Sequence, residues 1–518
     1  MIHRRAFLSR TVAVAGLALV APVSGRAQLQ RPRFTRNPFT LGVASGFPTA
    51  DSLVLWTRLA PQPLAPQGGM DPVTVPVHWE LALDAHFHRV LRTGIAYAEP
   101  EWAHSVHVEP PGLEPGRDYW YRFRVGDVYS PVGRSWTSTP ATQSREQLRI
   151  AVASCQQYEQ GQYSAYRQMV RDNPDLILHM GDYIYEQGSA RKGPRSHESS
   201  ECYTLEDYRA RHALYRSDPA LQAAHAHCPW LLTTDDHEVD NDYAGDISTE
   251  DDLPRQFLLR RAAAYRAYYE HLPLPRRAVP MGPDMRLYGS RSVGGLATIH
   301  LLDERQYRSP HACPRPGQRG ANRVLADECP ELFEPQRSML GFSQERWLDA
   351  SLSASTARWN LLAQGVVMAY VDEEPGPRHR YWTDGWNGYP AARERLLRSV
   401  AQREPRNPVV IGGDLHAFIA SDIRLKPDDG ASPIVTSELV TTSITSQGPA
   451  QSVIDSFRLA PDVAYAEGAH RGYLRVDLTA REMRTDLVAM DTVLTPDSAA
   501  RVLRSFVVED GRKGLQSG

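Results

Sequence analysis

Four short motifs contain the residue types of a hydrolytic metal site, and each follows an apolar run that predicts a buried strand. They are Cys155 after the run that ends at Ala153, Gly-Asp-Tyr-Ile-Tyr at 181–185, Asp-Asp-His-Glu at 235–238 and Gly-Gly-Asp-Leu-His at 412–416. Carboxylate, imidazole, phenol and thiol groups gathered at strand ends are the donors that two metal ions need to activate water. Each motif is common by chance, so the combination is what predicts a two-metal hydrolase.

The second motif supplies the residues that define the first metal. We predict that Asp182 bridges both ions, because a carboxylate directly after glycine lets two metals approach without a neighbouring side chain in the way. Tyr185 lies three residues further on. Tyrosinate is a poor ligand for calcium or zinc but a good one for a ferric ion, so Tyr185 indicates iron, with Cys155 as a thiolate ligand of the same ion.

The remaining motifs supply the second metal and a proton donor. Asp236 is the candidate ligand of the second ion, and His237 beside it is predicted to face the substrate and protonate the leaving oxygen. Asp414 and His416 are two residues apart, a spacing that places both on one side of an extended segment, so one can serve each metal. The predicted catalytic residues are therefore Asp182 and His237.

These motifs need a sheet that brings their strand ends together. From residue 147 onward, buried strands alternate with helical periodicity, which predicts an α/β domain over 147–492 with strands covered on both faces. The candidate strands are 148–153, 176–180, 231–233, 298–302, 361–368 and 409–411. Side chains at the carboxyl ends of such strands converge on the crevice where open α/β sheets place their sites.

The region before this domain has a different pattern. Over residues 36–140, short apolar runs alternate with glycine and proline turns, which is typical of an all-β sandwich. Examples are the runs 53–56, 75–81 and 119–125. We expect this fibronectin-like domain to have a structural role.

Composition excludes several classes of protein. The 518 residues are 42% hydrophobic and 23% charged, with a formal net charge of −3. These values indicate neither disorder, nor a membrane bundle, nor a general nucleic-acid binder. We expect no nucleic-acid partner, no transmembrane segment in the mature chain, and a monomer.

The first 27 residues are predicted to be an export signal. Arg4-Arg5-Ala6-Phe7-Leu8 precedes an apolar run over 12–20, and Ala27 is the expected cleavage site. The paired arginines followed by Phe-Leu are typical of a twin-arginine signal, which would make the twin-arginine machinery a partner and the periplasm or exterior the destination. A general secretory peptide that happens to have two arginines is the alternative.

Five cysteines in an exported chain leave one unpaired if the others form disulfides. We predict that Cys155 is the free thiol. Cys202 with Cys228, and Cys313 with Cys329, would each close a short local loop; the alternative is five reduced, buried thiols.

In this order along the chain, the motifs resemble the PhoD-type alkaline phosphatase/phosphodiesterase family, relatives of the calcineurin-like and purple acid metallophosphoesterases. The resemblance covers nearly the whole mature chain. Its stretches include LGVASG at 41–46, LWTRL at 55–59, ASC at 153–155, GDYIYE at 181–186, DDHEV at 235–239, DGWNGY at 384–389 and GDLH at 413–416.

The resemblance implies an α/β metallophosphatase domain of two facing mixed β-sheets flanked by helices, behind the N-terminal sandwich. It also implies a C-terminal segment, 493–518, that covers the active site, and a phosphate ester as substrate, attacked by metal-activated hydroxide. The metals implied are Fe³⁺ and Ca²⁺, with Zn²⁺, Mn²⁺ or Mg²⁺ as alternatives. The implied ligands are Cys155, Asp182, Tyr185 and His416 for iron, Asp182, Asp236 and Asp414 for calcium, and Asn241 as a further contact to the second metal or to phosphate.

Several functions remain open at this level. The resemblance implies hydrolysis of phosphate monoesters, diesters or both, and it also includes phospholipase D-like enzymes that act on lipids. A protein of another class, a phosphate- or glycan-binding surface protein with an inert hydrolase domain, is the third alternative. Intact residues at every matched ligand position argue against the inert protein.

Overall fold

The computed structural model describes residues 34–190, 193–249, 253–373, 378–427 and 429–518. The predicted signal at 1–27 lies outside these ranges. Within them the helices are α1 Ser164–Asp172, α2 Leu205–Arg216, α3 Pro219–His227, α4 Pro254–His271, α5 Gly341–Ala354, α6 Pro390–Arg403 and α7 Gln451–Leu459. The strands are β1 Val43–Gly46, β2 Val54–Arg58, β3 Val75–Ala82, β4 Val90–Ala98, β5 Ser105–Val108, β6 Asp118–Val125, β7 Val128–Tyr129, β8 Gly133–Trp136, β9 Gln147–Ala153, β10 Leu176–Met180, β11 Trp230–Thr233, β12 Gly289–Val293, β13 Ala297–Leu301, β14 Arg323–Leu325, β15 Trp359–Ala363, β16 Arg380–Trp382, β17 Pro408–Gly412, β18 Phe418–Arg424, β19 Ile434–Val440, β20 Val463–Glu467, β21 Gly472–Thr479, β22 Glu482–Met490, β23 Ala500–Glu509 and β24 Gln516–Ser517.

The first large sheet contains the strands that precede three of the four motifs. Its order over the described residues is β24-β23-β22-β21-β9-β10-β11-β1-β2-β5. Strands β9, β10 and β11 are parallel neighbours, and β21, β22 and β23 continue the sheet in antiparallel fashion on one side. The carboxyl ends of the three parallel strands therefore meet at one edge, where the motifs begin.

The second large sheet contains the strand of the fourth motif. Its order, again over the described residues, is β12-β13-β15-β17-β19-β18-β20. Strands β13, β15, β17 and β19 are parallel, whereas β12 and β18 pair antiparallel with their neighbours. The end of β17 delivers residues 413–416 to the site.

Apolar packing joins the two sheets. Val152 of the first sheet belongs to the same buried cluster as Ile299 and Leu361 of the second. Alternate residues of the second sheet, such as Leu362 and Val410, pack instead with α5 and α6. Both faces of the second sheet are therefore covered, as the continuous apolar runs of its parallel strands predict.

The N-terminal sandwich shares a sheet with the α/β part of the chain. One of its layers is the sheet β4-β3-β6-β7, with β8 paired to β6. Its core residues Val77, Leu81 and Tyr121 pack against Val43 of β1 and Leu55 of β2. Because β1 pairs in parallel with β11, the second layer of the sandwich is the edge of the first large sheet. The domain limits 36–140 and 147–492 stay predictions.

Much of the C-terminal segment 493–518 extends the first sheet. Strand β23 pairs antiparallel with β22 along most of its length, and β24 pairs with β23. The turn before β23 lies against the loop after β9, since the amide of Gln162 in that loop donates to the carbonyl of Val493 at 2.5 Å. A covering role for the C-terminal segment 493–518 stays a prediction.

One of the two predicted disulfides is present. Cys313 and Cys329 are bonded across a sequence separation of 16 residues. Cys155 is a buried free thiol, as expected.

The predicted Cys202–Cys228 bond is wrong, because both residues are buried free thiols. Cys202 lies ahead of α2, where its amide donates to the carbonyl of Glu186 at 2.9 Å. Cys228 lies at the carboxyl end of α3, close to Asp175. Closeness in sequence does not bring the thiols together, because α2 and α3 lie between them. Burial raises the pKa of Cys202 to about 12, so it is an unreactive core thiol.

Among the described residues, no helix combines the length and hydrophobicity that crossing a bilayer requires.

Candidate metal centre

The four motifs meet between the two large sheets. Cys155 follows β9, Asp182 follows β10, Asp235 and Asp236 follow β11, and Asp414 follows β17. Ligand atoms of these residues form three overlapping clusters in which all atoms lie within 4.8 Å of one another. The clusters are Cys155–Asp182–His416, Asp182–Asp236–His237 and Asp235–Asp236–Asp414.

Four of the predicted ligands have left-handed backbone conformations. The φ angles are 57° at Cys155, 56° at Asp182, 62° at Asp414 and 59° at His416. Such angles cost free energy for residues with a side chain and are concentrated at functional sites. These four residues follow three strands, β9, β10 and β17, and their turns direct the side chains to one site, so the surrounding fold holds a strained arrangement in place.

Gly181 makes the turn before Asp182 possible. Its φ is 98°, and a Cβ atom there would lie 2.4 Å from Cβ of Asp235. Only glycine accepts both that angle and that contact. The glycine therefore lets the ends of β10 and β11 approach closely enough for their carboxylates to share a site.

The first cluster has the predicted iron-ligand set. The phenol of Tyr185 donates to Oδ2 of Asp182 at 2.8 Å and lies 3.1 Å from Nε2 of His416. Cys155 completes the cluster with Asp182 and His416. Ser446 places its hydroxyl 2.8 Å from the phenol oxygen and donates to the carbonyl of Cys155. Thiol, phenol, carboxylate and imidazole are thus within reach of a single ion.

The electrostatics of this cluster favour a cation. Burial and the carboxylate of Asp182 raise the pKa of Cys155 well above its usual value. Burial also raises the pKa of Asp182 and that of Tyr185. Oδ1 of Asp182 is buried and has no hydrogen-bond partner in the described parts of the chain. Groups with raised pKa values and an orphaned oxygen fit a metal ion, which would hold them in their ionised forms.

The second and third clusters contain carboxylates. Asp182 is shared with Asp236 and His237, and Asp236 is shared with Asp235 and Asp414. Burial raises the pKa of Asp235 to about 6, and no described residue forms a hydrogen bond with its Oδ2. The third cluster, Asp235–Asp236–Asp414, is an oxygen-only set, which suits a hard cation such as calcium, manganese or magnesium.

Glu186 orients His237. Oε2 of Glu186 lies 2.7 Å from Nδ1 of His237, and Oε1 accepts from the amide of Asn241 at 3.0 Å. Burial disfavours the imidazolium, but Glu186, Asp236 and Asp182 outweigh it and raise the pKa of His237 well above its usual value. The ring also lies 4.0 Å from that of Tyr185, centroid to centroid. Glu186 therefore fixes the orientation of the His237 ring, and the surrounding carboxylates favour its protonated form.

Arg305 is a component of the site that the sequence did not single out. Its side chain is fully buried and contacts Asp235, both oxygens of Asp384 at 2.9 and 3.0 Å, and Oδ1 of Asp414 at 3.2 Å. Arg308 donates to the same Asp384 at 2.8 Å. The available signal was the position of Arg305, three residues after the end of a candidate strand. Its residue type did not indicate metal chemistry.

Glu238 was also missed as a structural part of the site. Its carboxylate accepts from the amide of Tyr183 at 2.6 Å and from the amide of Asp235 at 2.8 Å. It therefore ties the loop after β10 to the loop after β11. The Asp-Asp-His-Glu spacing contained this signal, since a carboxylate three residues on can reach back to an amide.

Two family models match this chain over most of its length. PhoD-like phosphatase matches residues 150–487, and PhoD-like phosphatase, N-terminal domain, matches residues 25–139. The chain belongs to the PhoD-like phosphatase family. The resemblance expected from the motifs is thereby confirmed.

Relatives of this PhoD-like chain support the same conclusion. Alkaline phosphatase D of Bacillus subtilis (strain 168) is 43% identical over 525 aligned positions, which cover 99% of this chain and 88% of that protein. The solved structure described as "Structure of PhoD" superposes with a TM-score of 0.89 at 44% identity, covering 94% of this chain and 93% of that one. The predicted fold class, an α/β domain of two facing sheets with an N-terminal strand-rich region, is confirmed.

The structure brings together the side chains that were predicted as metal ligands. Cys155, Asp182 and His416 lie in one cluster with the Tyr185 phenol beside it, whereas Asp182 and Asp414 lie in two different clusters that share Asp236. Asn241 is half-buried nearby, where its carbonyl accepts from Thr249 at 3.3 Å. The roles of all these residues stay predictions.

Proposed function

We propose that this PhoD-like phosphatase is a metal-dependent phosphoesterase that hydrolyses phosphate monoesters, diesters or both at the cluster around Asp182. Family membership makes it a phosphoric ester hydrolase. The observation that supports the metal dependence best is the convergence of ligand atoms from four strand ends within 4.8 Å of one another in overlapping clusters.

The donor types support a particular pair of ions. The thiol, phenol and imidazole beside Asp182 suit Fe³⁺, which Cys155, Asp182, Tyr185 and His416 would hold. The neighbouring carboxylates suit Ca²⁺, which Asp182, Asp236 and Asp414 would hold, with Zn²⁺, Mn²⁺ or Mg²⁺ as alternatives. Asn241 is proposed as a further contact to the second ion or to phosphate.

Bound metal ions supply a water of lowered pKa and positive charge for the phosphoryl oxygens. Residues of the chain position these ions and supply a proton. His237, held by Glu186 through Nδ1, lies in one cluster with Asp182 and Asp236 and would donate its proton to the leaving oxygen. Asp182 would contribute a carboxylate to both ion positions, and Arg305 restrains Asp414 through a contact of 3.2 Å.

We also propose export by the twin-arginine route to the periplasm or exterior, as a monomer. The arginine pair at residues 4–5 and the following apolar run support the route. The Cys313–Cys329 disulfide supports an oxidising destination.

Turnover of p-nitrophenyl phosphate and bis(p-nitrophenyl) phosphate tests the function. Protein isolated with its metals is assayed on both substrates, with and without a calcium chelator. We expect the chelator to lower turnover at least tenfold and added calcium to restore it, because carboxylate-held calcium exchanges with solution. The ratio of the two rates distinguishes a monoesterase from a diesterase.

Two variants sharpen this test. Asp182→Asn should lose more than 99% of turnover together with its bound metal, measured by elemental analysis, because both ions share this carboxylate. Asp127→Asn, in an exposed turn, is the matched control and should keep both its turnover and its bound metal. Turnover unchanged by chelator, or full activity in Asp182→Asn, would contradict the proposal.

A further inference from the structure

A cavity beside the metal centre has no role in the mechanism above. Its volume is about 240 Å³, and Asp414 forms part of its wall. Other parts of the wall come from the loop after β15, from α7 and from the antiparallel pair of strands β14 and β16. A group that leads away from a phosphate held at the metal centre can therefore enter this cavity directly.

Most of the inner wall is apolar. Val367 and Ala369 line it from the loop after β15, and Val453 and Phe457 line it from α7. Ala369 and Phe457 are otherwise buried, with 4% and 8% of their surfaces exposed. Water in such a space gains little from its neighbours, so an apolar group that displaces the water is favoured.

The mouth of the cavity is formed by two planar groups. Arg323 of β14 is paired in register with Trp382 of β16. The guanidinium lies 5.0 Å from the centroid of the indole, and Glu373 holds it at 2.7 Å. Trp382 is 36% exposed, although large aromatic side chains are usually well buried. Both planes line the cavity, and planar groups stack on such surfaces.

The dimensions limit what can enter. Sites for drug-sized ligands measure roughly 300–1,000 Å³, so a cavity of about 240 Å³ accepts one ring-sized group rather than two acyl chains. The wall also contains Asn387, whose amide nitrogen donates to the carbonyl of Val371 at 3.0 Å.

We propose that this cavity is a subsite for one ester arm of the substrate and that it selects a planar aromatic arm. The inference rests on the proposed function, because the phosphate must sit at the metal centre for the arm to reach the cavity. Trp382 and Arg323 are the specificity-determining residues. They stack on the arm, and the apolar wall behind them excludes water from it.

Binding of simple phosphonates tests the subsite without requiring turnover. Phenylphosphonate, cyclohexylphosphonate and methylphosphonate share one head group, and the first two are close in size but differ in planarity. Their dissociation constants on metal-loaded protein are measured by calorimetry, together with that of inorganic phosphate. We expect phenylphosphonate to bind about tenfold more tightly than the other two, within the range measured for stacking on an aromatic side chain.

Variants of Trp382 test whether this residue causes the preference for a planar arm. Trp382→Leu keeps an apolar side chain but removes the planar ring. The dissociation constants of phenylphosphonate and cyclohexylphosphonate should then agree within twofold. Trp382→Phe should keep most of the selectivity. Trp102→Ala is the matched control, since Trp102 also lies under an arginine, Arg266, at 4.7 Å but far from this cavity in the fold. Phosphate should bind equally to all of these proteins.

The outcomes separate the two proposals. Equal binding of phenyl- and cyclohexylphosphonate to the unaltered protein overturns the subsite, as does selectivity that survives in Trp382→Leu. Absence of turnover with p-nitrophenyl substrates, while phenylphosphonate still binds selectively, contradicts the proposed hydrolysis and leaves the subsite supported. Failure of phosphate and all three phosphonates to bind contradicts both.

Discussion

At the scale of single residues, Tyr185 distinguishes between the alternative metals. Its phenol lies within hydrogen-bond distance of Asp182, His416 and Ser446. Burial, Asp182 and Cys155 all raise its pKa, so an ionised phenol here requires a strongly charged cation in contact with it. Ferric ion meets that requirement better than calcium, zinc or magnesium.

We predict that replacing Tyr185 by Phe removes the visible charge-transfer absorption of the metal-loaded protein. Phenolate-to-iron charge transfer needs the oxygen that this substitution deletes, while the ring stacked near His237 remains. Absorption spectra and iron content of the two proteins are the measurements. Tyr183→Phe is the control, because the Tyr183 phenol bonds to His225 in the core. An unchanged band in Tyr185→Phe would exclude this residue as the iron ligand.

Residue types and spacing predicted side chains that the structure brings together, because few side chains can bind a metal ion. Only a few side chains can bind iron or calcium, so Cys155, Asp182 and His416 are informative even in a bare sequence. Arg305 is different, because arginine is common and its neighbours Asp384 and Asp414 are 79 and 109 residues away. Only the fold shows that this guanidinium lies among the site's carboxylates.

At the scale of elements, strand ends were easier to predict than pairings between loops. The apolar runs before Cys155 and Asp182 predicted β9 and β10, and the parallel register placed their ends side by side. The Cys202–Cys228 prediction used closeness in sequence alone and was wrong. The Cys313–Cys329 prediction is correct, because both residues pack in a small buried cluster with Val324.

We predict that the unfolded, unreduced protein has three alkylatable thiols out of five. Mass spectrometry after alkylation in denaturant measures this number, and prior reduction should raise it to five. Replacing Cys313 and Cys329 by serine should lower the free energy of unfolding by about 3 kcal/mol, since the bond closes a loop near 15 residues. Cys202→Ala is the control and should reduce the count from three to two. A count of one in the unaltered protein would instead indicate that Cys202 and Cys228 are paired.

At the scale of the whole molecule, one sheet connects the N-terminal and metal-binding parts of the chain. Strand β1 pairs with β11, and Trp56 of β2 donates to the carbonyl of Glu270 at 3.1 Å. The change of sequence pattern near residue 140 indicates a boundary between two regions. It does not indicate that strands from before and after this boundary pair in one sheet. Sheet order depends on pairings between distant segments, which local patterns do not encode.

The interior also contains several neutral histidines that affect the stability of the whole fold. Burial lowers the pKa of His212 to about 3, that of His179 to about 3, and that of His225 well below its usual value. His212 stacks on His271 with a centroid distance of 5.1 Å, and neither of its ring nitrogens has a hydrogen-bond partner among the described residues. Protonating such a group requires the core to open.

We therefore predict that acid destabilises the protein and that His212→Leu reduces this effect. The unfolded chain protonates His212 near pH 6.5 while the folded chain does not until about pH 3, so its stabilising contribution is full above pH 6.5 and falls as pH drops towards 3. Between pH 8 and pH 5 the unaltered protein should lose about 2 kcal/mol more free energy of unfolding than the variant. Urea titrations at both values measure this difference, and His86→Leu, at an exposed position, is the control that should behave like the unaltered protein. An equal loss in His212→Leu would show that this histidine is not kept neutral by burial.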